Sequence, residues 1–111
     1  MGNLIEFFAD NILYQTYIVE NEDSIIGTIR ADCFEDFVLL HPKIYSVNKK
    51  SLAIYKKAFK EYIKTLNRNL YYEHVYADTK KYNIVKFLTS GEVRCVGKGV
   101  EGMLYEHKIA Q

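Results

Sequence analysis

Glu35 and Asp36 are adjacent carboxylates in a strand-like run, Phe34–Leu40, and such acids are the simplest equipment for abstracting a proton. Either reads as a general base for an amine, if burial raises its pKa, or as an exposed charge on an edge strand. The run closes on His41 and Pro42, the only proline in the chain. His41 reads as a proton shuttle or as a residue that hydrogen-bonds locally at a strand end. Cys33 stands close by, but no third group is evident to orient a thiol–imidazole pair, and a buried cysteine usually serves packing. His41, His74 and His107, with Cys33 and Cys95, lack metal-ligand spacing, so no metal is expected.

The second chemical candidate is the segment from His41 to Lys50. It contains no glycine, carries Lys43, Tyr45, Ser46, Asn48, Lys49 and Lys50, and feeds a helix expected to begin at Ser51. Helix N-termini attract anions through unpaired N–H groups and the positive end of the dipole. Three lysines there suit a phosphate. A loop that wraps a diphosphate tightly needs glycines, however, and lysines flanking a helix also read as a solvated face. Tyr71, Tyr72 and Tyr76 read as sheet and core residues, because no clustered basic face or RNA-binding motif accompanies them.

These residues need a scaffold, and 111 residues suffice for one domain, residues 1–111, with a core of its own. A net charge of +1 offers no electrostatic footprint for nucleic acid. Two cysteines are not a disulfide framework, so a reduced, cytoplasmic setting is expected. MGNLIEFF lacks the basic start of a signal peptide, and Glu6 stands where a myristoylation motif needs Ser or Thr. No apolar run reaches the length of a membrane span, so no membrane partner is expected.

The pattern predicts a short helix at Asn3–Ala9, then a hairpin of Leu13–Val19 and Ile25–Arg30, with Gly27 marking a bulge or a close backbone approach. The strand Phe34–Leu40 follows. Helix Ser51–Leu66 places Leu52, Tyr55, Phe59, Tyr62, Ile63 and Leu66 on one stripe. Next come strand Leu70–Ala77 and a helix capped by Asp78 or Thr79, with Gly91 at its C′ position. Strands Glu92–Val96 and Met103–Ile109 end the chain. The order predicts an α+β domain with one mixed, mostly antiparallel sheet and helices packed on it.

The hairpin Val19…Ile25-Ile26-Gly27, the strand end Leu40-His41-Pro42 and the amphipathic helix resemble the centre of the GCN5-related N-acetyltransferase (GNAT) fold. The run Asp78…Val85-Lys86-Phe87-Leu88…Gly91 and the tail Gly99-Val100-Glu101-Gly102 are similar to small GNAT-like proteins of bacteriophages, some of them internal virion proteins. The resemblance spans roughly residues 13–109. It implies acetyl-CoA held where the sheet splays, beside Leu39 and Leu40. The pyrophosphate would then lie over Ser46, Asn48, Lys49, Lys50 and Ser51, with Glu35 or Asp36 as the base for acetyl transfer to an amine. Asn48 and Lys50 stand at the family's two glycine positions, and Phe87 stands where many members place the tyrosine that protonates the CoA thiolate. The alternative is a binding module that keeps the fold without the catalysis, with a protein partner in the virion or in the infected bacterial host.

Overall fold

The structure, a computed structural model, describes residues 2–110. Strands β1 (Gly2–Ala9), β2 (Ile12–Asn21), β3 (Ser24–Cys33) and β4 (Val38–Ile44) form an antiparallel meander. The expected helix at Asn3–Ala9 is therefore a strand. The next two residues explain why: Asp10 and Asn11 both take left-handed backbone angles, φ 51° and 63°. That is the conformation of a type I′ turn, whose twist matches a tight hairpin, and β1 folds back on β2 from Ala9↔Ile12 to Gly2↔Val19.

The expected strand Phe34–Leu40 is divided. Residues 34–37 form a turn closed by Phe34 N–H donating to the Phe37 carbonyl (2.9 Å), with the two rings stacked at 4.6 Å. β4 then runs on through His41, Pro42 and Lys43, so only residues 45–48 remain as loop. Helix α1 (Lys49–Leu70) starts two residues before Ser51, because the Asn48 carboxamide accepts the Ser51 N–H at 2.9 Å and caps it. It ends at Tyr71 in a left-handed conformation, with the Tyr72 N–H returning to the Leu66 carbonyl. β5 (His74–Thr79), α2 (Tyr82–Leu88), β6 (Arg94–Lys98) and β7 (Met103–Lys108) complete the chain. Neither Asp78 nor Thr79 caps α2 as expected; its cap position is Lys81, and Thr79 Oγ1 instead accepts the Lys81 N–H. The left-handed residue after α2 is Ser90, and Gly91 follows it with φ 82°.

The result is α+β: one seven-stranded mixed sheet in the order β1-β2-β3-β4-β5-β7-β6, antiparallel except between β4 and β5. Tyr55, Phe59, Tyr62, Ile63 and Leu66 of α1 and Leu88 of α2 join Val19, Ile29, Ala31, Val38, Leu40 and Val75 in a single core. Gly27 behaves as its placement in a strand suggests. The β2–β3 register shifts beside it, and a Cβ there would lie 2.6 Å from the Tyr55 ring and 2.5 Å from the Lys43 carbonyl. The space so left admits the Tyr55 hydroxyl into the ladder, where it donates to Thr28 O (2.6 Å) and accepts from Lys43 N–H (3.2 Å).

Candidate functional site at a divergence of strands

β4 and β5 touch through one bridge, Leu39↔Tyr76. Beyond it the parallel strands separate, and Pro42 is tolerated because its missing N–H has no partner to serve on that side. The gap opens a cleft of about 200 Å³ lined by Leu40, His41 and Pro42 on one side and Ala77 and Asp78 on the other, with Ile84 of α2 below.

His41 is the chemically able residue of that cleft. It pairs with Arg30 across β3–β4, and its Nε2 lies 2.9 Å from Asp32 Oδ2. Arg30 Nε is 3.2 Å from Asp32 Oδ1, and its second nitrogen is 3.3 Å from Oδ2. Asp32 is buried, and a buried carboxylate persists as an ion only with such partners. An ionised Asp32 can only accept, so Nε2 of the imidazole carries the hydrogen shared with it. The sequence reading missed Asp32. Its signal was the alternation Arg30-x-Asp32 facing His41 across a hairpin, visible only once the register is known.

Asp78 faces the cleft from β5 but is committed to structure. Its carboxylate accepts from the backbone N–H groups of Val100 (2.6 Å), Gly102 (2.9 Å) and Glu101 (3.1 Å). Partial desolvation opposes its ionisation, but these three donors and the nearby His41 ring outweigh that and hold its pKa below the usual range. A Cβ on Gly99 would strike the same carboxylate, so the Gly99–Gly102 turn is a clamp around Asp78. Along the sheet, Tyr76 donates to Glu106 (2.6 Å), which also takes Arg94 Nε (2.8 Å). The Tyr76 bond and then the Arg94 bond lower the Glu106 pKa.

The remaining expected residues divide. Leu40 lines the cleft, and Leu39 forms the bridge at its base. Glu35 and Asp36 lie exposed in the 34–37 turn rather than on a strand, and neither lines the cleft. Ser46, Asn48 and Ser51 gather at the start of α1 but bond to one another: Asn48 Nδ2 to Ser46 Oγ (2.9 Å) and Ser46 Oγ to Ser51 Oγ (3.1 Å). The loop amides Tyr45 N–H and Ser46 N–H both turn back to the Ile26 carbonyl, at 2.8 and 3.3 Å. Lys49 and Lys50 are exposed, Lys50 lying 4.0 Å from Glu22. Phe87 is partly exposed beneath the ammonium of Lys56, 4.9 Å from the ring centre. Burial, then the charges of Asp32 and Glu6, push the Cys33 thiol up to about 11, which suits packing rather than nucleophilic attack.

Among the described residues no group of His, Cys, Asp and Glu is placed to hold a metal ion, and no helix is long and apolar enough to cross a membrane. Comparison with protein-family models, curated proteins and solved structures finds no match to this chain.

Proposed function

We propose that this chain is a GNAT-like domain that works as a protein-binding component, in a phage particle or on a host protein, rather than as an acetyltransferase. Support for the GNAT likeness comes from the parallel β4–β5 pair that parts after Leu39, with helix α1 linking the two strands. That is where the resemblance puts a splayed sheet and a helix beside it.

The observation that carries the non-catalytic reading is the closed loop before α1. A CoA diphosphate needs outward amide N–H groups, yet Tyr45 and Ser46 give theirs to Ile26 and the Asn48 side chain takes that of Ser51. Those three amides are withdrawn from any ligand, and the segment has no glycine to let its other amides approach a diphosphate closely. Phe87 adds a second mismatch, since a phenyl ring cannot protonate a departing thiolate.

Titration with CoA and with acetyl-CoA, by calorimetry and thermal shift, tests this. The expected result is no saturable heat and no shift at millimolar ligand. A ligand present at 100 times its dissociation constant stabilises the folded state by about 2.7 kcal/mol, and a shift of that size overturns the reading.

One observation favours the rival reading of acetyl transfer. His41 lines the cleft with its ring oriented by Asp32, and an imidazole so held could take the proton of an attacking amine. An acetylation assay run beside the titration separates the two: turnover lost about 100-fold or more in His41→Ala establishes the enzyme.

A further inference from the structure

We propose that β1 is a self-association edge, on which two copies pair β1 to β1, antiparallel, about a twofold axis. The two ends of the sheet are built differently. Edge strands of monomeric proteins are usually blunted by shortness, a bulge, charges or proline. β6, at one end, is so protected: it has five residues, a register break between Cys95 and Gly97, and exposed Arg94 and Lys98. β1, at the other end, is neither short, bulged nor interrupted by proline, and Glu6 is its single charge. Its eight residues keep unbroken register with β2 and contain no lysine, arginine or proline. Leu4, Ile5, Phe7 and Phe8 are 49, 58, 61 and 67% exposed.

The backbone geometry selects the occupant. The two-residue turn at Asp10-Asn11 makes Ala9↔Ile12 the closing hydrogen-bonded pair, so Leu4, Glu6 and Phe8 turn their N–H and C=O groups to the free edge. An antiparallel twofold centred on Glu6 pairs those groups with Phe8, Glu6 and Leu4 of the second copy. It also sets Leu4 against Phe8 on the helix side and Ile5 against Phe7 on the other. Each of the four apolar side chains then gains an apolar cross-strand neighbour in one register, and the contact closes on itself at two copies. A β1–β6 contact would leave chains open-ended, and the bulge and charges of β6 oppose it.

The area places the contact in a size class. Phe7 and Phe8 together present on the order of 250 Å² per copy. With Leu4, Ile5 and the strand backbone, the contact lies at the small end of specific interfaces, among weak and transient ones, so the working concentration for a test is on the order of 10 µM. The two Glu6 carboxylates meet at the axis, each already accepting from Gln15 Nε2 (2.9 Å). Like charges directly opposite weaken a strand pair, so Glu6 limits the affinity.

Sedimentation equilibrium of the full chain, from below to well above that concentration, tests the proposal. The expected result is a reversible monomer–dimer equilibrium that stops at two. Phe8→Lys should weaken it about tenfold or more, and Glu6→Gln, which keeps the Gln15 bond, should tighten it about threefold. A monomer at every concentration, growth past dimer, or dimerisation indifferent to both substitutions overturns the proposal. Phe8 is exposed, so the folded state of Phe8→Lys is checked by circular dichroism and should match the parent.

Discussion

Gly27→Ala should destabilise this domain severely, because one methyl group collides with the residue that organises the end of β4. The added Cβ would lie 2.5 Å from the Lys43 carbonyl and 2.6 and 2.8 Å from two Tyr55 ring carbons. Carbon contacts settle near 3.5–4.0 Å, so the ring must retreat by roughly 1 Å. It has nowhere to go. Tyr55 is fully buried, and its hydroxyl is tied to Thr28 O and Lys43 N–H. Overpacking of this kind costs about 1–3 kcal/mol. Pulling the hydroxyl out of the ladder adds about 1–3 kcal/mol unless the backbone recloses directly. Against this, alanine reduces the freedom of the unfolded chain, which returns about 0.4–1 kcal/mol. The net loss is about 1–5 kcal/mol, centred on about 3, enough to lower Tm by on the order of 10 °C in a domain this size. Urea unfolding followed by circular dichroism measures it. The same substitution in a Tyr55→Leu background should cost at least about 1 kcal/mol less, since the obstructing ring is gone. Equal cost in both backgrounds, or a loss under about 0.5 kcal/mol, would refute the steric account.

Asn48→Ala should lower stability by about 1 kcal/mol, by removing the cap on Ser51 N–H; an unchanged urea midpoint would mean that Ser46 substitutes for it. Stability should also fall as pH rises above about 9. Burial raises the Cys33 pKa from 9.0 to about 11, and burial likewise raises those of Tyr55 and Tyr62. Between the unfolded and folded values the unfolded chain has released protons that the folded chain keeps, so the slope of stability against pH is negative. The contribution is fully present below the unfolded pKa and lost on rising through the folded one. Cys33 alone accounts for about 2–3 kcal/mol. A urea midpoint that stays flat from neutral pH through the range where these groups ionise would contradict the burial.

The helices were legible where periodicity was long. The stripe Tyr55, Phe59, Tyr62, Ile63 and Leu66 is buried as expected, because side chains so spaced can meet one surface only as a helix. Asn3–Ala9 was not, since Leu4-Ile5 and Phe7-Phe8 suit a helical stripe as well as a strand. What decided it lay outside the segment, in the Asp10-Asn11 turn and the complementary edge of β2. The α1 start moved for a local reason: Asn48 is a better cap than Lys50. Leu39 and Leu40 lie on a strand as expected, but His41, expected as the first residue of a loop, lies within β4, which runs on to Ile44. Asp32 escaped because burial of a carboxylate depends on the partners that tertiary pairing brings to it, here Arg30 and His41.

The lysines at the start of α1 show how charge and geometry part company. Lys49 and Lys50 add positive charge to the positive end of a 22-residue helix, and an exposed anion gains about 0.3–1 kcal/mol from such an end. To be held by the amides of Tyr45, Ser46 and Ser51, that anion must also displace the Asn48 cap and the Ser46–Ser51 bond, and draw Tyr45 and Ser46 away from Ile26. Each displaced bond contributes about 0.5–1.5 kcal/mol, so the internal partners outweigh the electrostatic gain. What the lysines can offer without that rearrangement is screened attraction, which decays within about 8 Å at physiological salt and selects no particular anion. Positive charge beside a helix start therefore marks an anion site only where the amide groups are left unclaimed, and in this chain β3 and the cap have claimed those of Tyr45, Ser46 and Ser51.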